Sequence, residues 1–87
     1  MNAVEALGKI HSRPELAVPA LTGSLRDPDM AVRVNAAFSL EAFESDAKSA
    51  VPELVHALED IAFEVRFYAA SALKKIDPPS AAKAGVK

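Results

Sequence analysis

Apolar residues recur along this chain every three or four positions. Leu21 and Leu25 lie four apart, as do Leu54 and Leu58, while Val32, Ala36, Leu40 and Phe43 step by four, four and three. That spacing places each set on one face of an α-helix and predicts amphipathic helices, not strands. Helices are expected near 2–10, 14–26, 28–43, 47–59 and 61–76. Asp27-Pro28 reads as a start, with Asp27 accepting from the first free amides and Pro28 where a missing N–H costs nothing; Asp60 repeats the cap. Ser12-Arg13-Pro14-Glu15 matches a capping box, and Ser45 or Asp46 is expected to act likewise further on. Pro19 and Pro52 lie near helix starts, where proline either sits in the first turn or bends the helix, and the pattern leaves both open. Asp77-Pro78-Pro79 stops the last helix, and residues 78–87 are expected to fray or to open a further unit.

The pattern also repeats at a fixed offset. Residues 14–44 laid on 47–77, thirty-three positions on, match at eleven of thirty-one positions, among them Val18/Val51, Pro19/Pro52, Leu21/Leu54, Asp27/Asp60, Arg33/Arg66 and Leu40/Leu73. Chance would give about two, and a period in this range marks a stacked array of identical supersecondary units. Each unit is a pair of helices. The same offset puts Ala3, Leu7 and Ile10 over Ala36, Leu40 and Phe43, so residues 1–10 read as the second half of an earlier unit, 11–43 and 44–76 as whole ones, and 1–77 as one domain.

Composition narrows the chemistry. Half of the 87 residues are apolar and a quarter charged, as in an ordinary folded domain. A net charge of −2 offers no basic field for nucleic acid or an anionic membrane. The longest uncharged stretch, Leu16 to Leu25, is too short to span a bilayer and is interrupted by Pro19 and Gly23, and Glu5 spoils any reading of residues 1–10 as a signal peptide. The absence of cysteine fits a reducing compartment, so the cytoplasm is expected. His11 and His56 have no partner at metal-ligand spacing, and no phosphate-cradling glycine loop occurs. Glu41, Glu44, Asp46 and Asp29 read as solvated acids at helix ends, not as a catalytic pair. No enzyme activity, cofactor or metal is therefore expected. Lys74, Lys75, Lys83 and Lys87 suit helix C-termini better than a nucleic-acid tail.

The pattern Val-Pro-x-Leu…Leu-x-Asp…Val-Arg-x-x-Ala-Ala-x-x-Leu, present as Val18 to Leu40 and again as Val51 to Leu73, resembles the HEAT-like repeat of the phycobilisome-lyase type over residues 1–77. The resemblance implies an all-α fold, a short right-handed α-solenoid of about five helices, whose second helices line a concave surface that grips another protein. A half unit at the start leaves Val4, Leu7 and Ile10 without their usual cover, so the chain is expected to be part of a longer array or to self-associate.

Two features remain after the core positions are assigned. Arg33 and Arg66 recur in register with Asp27 and Asp60, as either an anion site or, the expected reading, a ladder tying neighbouring repeats. The second helices keep Met30, Val34, Asn35, Phe38 and Ala42 in one unit and Phe63, Phe67, Tyr68, Ser71 and Lys75 in the next, with Val34 paired to Phe67 and Asn35 to Tyr68 by the repeat offset. An apolar and aromatic inner face rimmed by Glu5, Glu64 and Lys75 would be a contact surface with aromatic anchors; alternatively Phe38, Phe63 or Phe67 turns inward and extends the core. The function expected is a non-enzymatic interaction module or scaffold that binds a protein partner, or a second copy of itself, through Met30, Val34, Asn35, Phe38, Phe63, Phe67, Tyr68, Ser71 and Lys75. The alternative that the resemblance implies is an accessory subunit of a bilin chromophore lyase, holding a tetrapyrrole in the same groove.

Overall fold

A computed structural model describes residues 13–86. The helix expected near 2–10, with Glu5, His11 and the Ser12 cap, lies outside the described residues. Five α-helices follow: α1 Pro14–Ser24, α2 Met30–Ala42, α3 Val51–Ala57, α4 Phe63–Ile76 and α5 Pro78–Lys83. A 3-10 segment, Glu44–Ala50, leads into α3. Among the described residues there is no strand. Helix α1 packs on α2 and α3 on α4, and the two pairs stack through α2 against α4, giving an all-α solenoid 37 × 25 × 15 Å in extent.

The thin dimension follows from side-chain size. Ala17, Ala36, Ala37, Ala50, Ala69 and Ala72 are all within 1% of full burial, so the helices approach closely. Leu21, Leu40, Leu54, Leu73, Val65 and Ile76 fill the space between the two layers. Repeat-related positions are buried together, Leu21 with Leu54 and Leu40 with Leu73, and no polar side chain is buried among the described residues.

Both second helices begin later than the sequence predicts. Asp27 is not the cap of α2: its Oδ1 accepts from the Asp29 amide at 2.8 Å, and Asp29 caps the helix by accepting from the Ala31 amide at 2.8 Å. Arg33 Nη1 donates to the carbonyls of Asp27 and Pro28 at 2.8 and 3.0 Å, so a side chain from within α2 takes both carbonyls that precede its cap. One repeat later Asp60 accepts from the Ala62 amide at 2.9 Å, and α4 starts at Phe63 with no side-chain cap of its own.

The equivalent prolines behave differently. Pro19 lies inside α1, which Pro14 already opens. Pro52 sits in the first turn of α3. The helix expected over 47–59 is a 3-10 segment up to Ala50, broken at Ala47 with φ −99° and ψ 17°.

Residues 78–86, expected to fray or to open a further unit, form a short helix and its end. The Asp77 carboxylate accepts from the Ser80 hydroxyl at 2.9 Å and caps α5. Gly85, at φ 88°, closes it: the Gly85 amide donates to the Ala82 carbonyl and the Val86 amide to that of Ala81, the paired bonds of a Schellman end. Burial of Ala81 and the packing of Val86 on the core secure the segment against α4.

Candidate interaction surface

The second helices carry their aromatic residues outward. Phe38 on α2 is 61% exposed, and Phe63 and Phe67 on α4 are 65% and 56% exposed. Tyr68 is half-buried and packs against the core. The four rings form one connected row. Phe38 meets Tyr68 edge-on with centroids 5.9 Å apart, Tyr68 meets Phe67 edge-on at 5.2 Å, and Phe67 lies tilted against Phe63 at 6.3 Å. The two edge-on contacts of Tyr68 are a favoured geometry for aromatic pairs. Arg66 extends it, with the guanidinium carbon 5.9 Å from the Phe63 ring centre.

The other candidate residues divide. Met30, Asn35 and Lys75 are exposed. Val34 is half-buried and packs on the core. Ser71 donates its hydroxyl to Glu41 Oε1 at 3.0 Å and joins α4 to α2. Phe38–Tyr68 and Glu41–Ser71 are both thirty residues apart, so the side chains that meet across the helices differ from the pairs thirty-three apart that the repeat offset suggests. Parallel helices in adjacent repeats are staggered by nearly one turn, which brings Phe38, not Asn35, to Tyr68.

The Asp–Arg pattern is a rung between repeats. Arg33 donates from Nε and Nη2 to the two carboxylate oxygens of Asp60, at 3.0 and 3.2 Å. Burial alone pushes the Asp60 carboxyl up, but the Ala62 amide, the Arg33 fork and the charge of Arg66 outweigh it and hold the group below its ordinary value. A second link, unanticipated from the sequence, joins Arg26 to Glu53, with Arg26 Nε donating to Oε2 at 2.9 Å and Nη2 to Oε1. Its only signal was the shared spacing of twenty-seven residues with Arg33–Asp60.

Sequence reasoning also missed Ile61, which stands 93% exposed in the turn before α4 where the earlier repeat has Pro28. Glu41 is a hydrogen-bond acceptor between repeats and Asp29 a helix cap, while Glu44 and Asp46 are exposed. His56 is exposed in the last turn of α3. Among the described residues no group of three or more His, Cys, Asp or Glu could hold a metal ion, and no helix is long and apolar enough to cross a membrane.

A family model described as HEAT repeats matches residues 18–84, most of the chain. No curated protein and no solved structure matches it.

Proposed function

The chain belongs to the HEAT repeat family, and from that premise we propose that it is a non-enzymatic interaction module that binds another protein through the outward face of its second helices. One observation carries this reading: Phe38, Phe63 and Phe67 are all more than half exposed, and with Tyr68 they form a single connected row of rings. Aromatic rings held in place by the fold lose little freedom on binding, which is what makes them effective anchors. Met30 and Asn35 flank the row on α2, and Arg66 and Lys75 supply charge at its edge on α4. The surface needs no reactive group to work, only shape and apolar area.

The test is affinity capture from the source cells with the natural chain and with a Phe38→Ala/Phe67→Ala variant, followed by identification and titration of the purified candidate. The reading expects a purified protein whose affinity falls at least tenfold in the variant while the melting temperature stays within a few degrees. Equal binding by both chains would defeat it. Light scattering on the chain alone decides whether that partner is a second copy. A visible-absorbance change on adding a linear tetrapyrrole, lost in the same variant, would replace this reading with the chromophore-binding one.

A further inference from the structure

Three residues of α4 at the aromatic row break the repeat. Glu64, Phe67 and Tyr68 stand thirty-three positions after Ala31, Val34 and Asn35 on α2, and none of the three is fully buried. Stacking of the two units is carried by other residues, the shared Leu and Ala core and the Arg33–Asp60 rung. Together with Phe38, the three departures build a corner of rings with an acid beside it.

Phe38 and Phe67 both stand at right angles to Tyr68, with interplanar angles of 88° and 89°. Rings set square to one another present π faces in different directions, and a cation seated among them is attracted by more than one ring. The molecule already makes one such contact of its own, with the Arg66 guanidinium over Phe63. Phe38, Phe67 and Tyr68 hold no cation among the described residues.

Glu64 precedes Phe67 by three positions and Tyr68 by four, so it leaves α4 on the same side as both. Arg66, two positions further on, leaves about 200° round the helix and does not face Glu64. Glu64 is exposed and has no ion-pair partner among the described residues. A free carboxylate beside open ring faces selects a guanidinium. That group is planar and weakly hydrated, so it stacks on a ring, and its fork donates two parallel hydrogen bonds to one carboxylate; an ammonium is compact and strongly hydrated and matches neither as well.

We propose that the protein bound on this row anchors itself with an arginine side chain, its guanidinium stacked among Phe38, Tyr68 and Phe67 and its fork on the Glu64 carboxylate. The inference rests on the reading of the row as an interaction surface and adds the chemistry that the surface selects. The corner spans α2 and α4 and is complete within the described residues.

The experiment follows the ring signals of the full chain, labelled with 13C in its four phenylalanines and one tyrosine, by NMR at constant ionic strength. The probes are the N-acetyl, N-methylamide derivatives of arginine, lysine and citrulline, the last an uncharged isostere of arginine. The proposal expects saturable shifts of the Phe38, Phe67 and Tyr68 rings with arginine, and affinities at least fivefold lower for lysine and citrulline. Glu64→Gln and Phe38→Leu, both at exposed positions, should each weaken arginine binding at least threefold at an unchanged melting temperature. No saturable shift with arginine, shifts confined to Phe63, equal binding of citrulline or lysine, or indifference to Glu64→Gln overturns the proposal. A purified partner lost in Phe38→Ala/Phe67→Ala but bound equally by Glu64→Gln would also overturn it, while leaving the interaction surface itself standing.

Discussion

Arg33 and Asp60 form a two-point ion pair across the boundary between repeats, with Nε–Oδ2 and Nη2–Oδ1 distances of 3.0 and 3.2 Å. Their side chains are only 14% and 13% exposed. The guanidinium simultaneously holds the carbonyls of Asp27 and Pro28, and the carboxylate holds the Ala62 amide, so one pair fixes the turns of both units. Removing either partner leaves the other shielded from water with unmet hydrogen bonds. Asp60→Ala and Arg33→Ala should each cost about 2–4 kcal/mol, the range for truncating one member of a largely desolvated charged pair. Urea denaturation of both single variants and the double variant checks this. A double variant as destabilised as the sum of the singles would mean the two side chains act independently.

The same pair makes the fold acid-sensitive in a definite direction. The folded-state Asp60 carboxyl is held below its ordinary value, so the unfolded chain takes up a proton first as pH falls. The stabilisation is fully present above the unfolded value of about 4 and is lost as pH drops through the lower folded value. Glu15 and Glu53 are lowered too, Glu15 by a backbone hydrogen bond and Arg13 and Glu53 by Arg26, and act in the same sense. Thermal melts of the natural chain and of Asp60→Asn from pH 7 to pH 2 should show a gap in melting temperature that is constant at neutral pH and closes below about pH 4. A gap unchanged to pH 2 would show that the ionised carboxylate contributes nothing.

Much of this fold was legible because the repeat gives each residue a counterpart whose environment is the same. The offset of thirty-three locates four helices and pairs the buried Leu21 with Leu54 and Leu40 with Leu73. What it could not supply are interactions made by side chains far from the residue they influence. Helix α2 starts at Met30 and not at Pro28, with the Asp27 and Pro28 carbonyls held by Arg33, and nothing local to Asp27 records that. Pro19 and Pro52 share a position in the repeat, yet one lies within a helix and the other begins one. The aromatic row was legible as residues, while the sequence left open whether they form a surface or turn inward. A one-residue error in helix phase rotates a side chain by about 100°, enough to exchange outward Phe67 with half-buried Tyr68. The stagger that pairs Phe38 with Tyr68 belongs to packing between helices and has no sequence signature.

Exposure separates the roles of neighbouring positions on α2. Phe38 is 61% exposed while Leu40 is fully buried. Leu40→Ala should cost about 2–5 kcal/mol, through lost transfer energy and the cavity left behind. Phe38→Ala removes an outward ring and its edge contact with Tyr68, and should cost less than about 1.5 kcal/mol. Against a partner bound on the row the order reverses, with Phe38→Ala weakening binding by about 2 kcal/mol or more, the threshold for an interface anchor. Chemical denaturation with a binding titration on each variant decides it. A Phe38 variant destabilised as much as the Leu40 variant would place the ring in the core after all.

Glu44 adopts a φ of 52° immediately after Phe43 ends α2. This is the left-handed conformation in which helices commonly terminate, and glycine usually fills it because a Cβ there crowds the following carbonyl. That crowding costs an ordinary residue about 1–2 kcal/mol, whereas glycine loses about 0.5–1 kcal/mol through the greater freedom of its unfolded chain. The first effect is larger. Glu44 is exposed. Glu44→Gly should therefore stabilise the fold by about 0.5–1 kcal/mol, and Glu44→Asn, which tolerates this conformation, by somewhat less. Glu44→Val should destabilise it, because branching at Cβ worsens the same clash. Urea midpoints for the three variants in the order Gly, Asn, Val are the expected result. Equal midpoints for glycine and valine would show that the turn after α2 relaxes to negative φ at no cost.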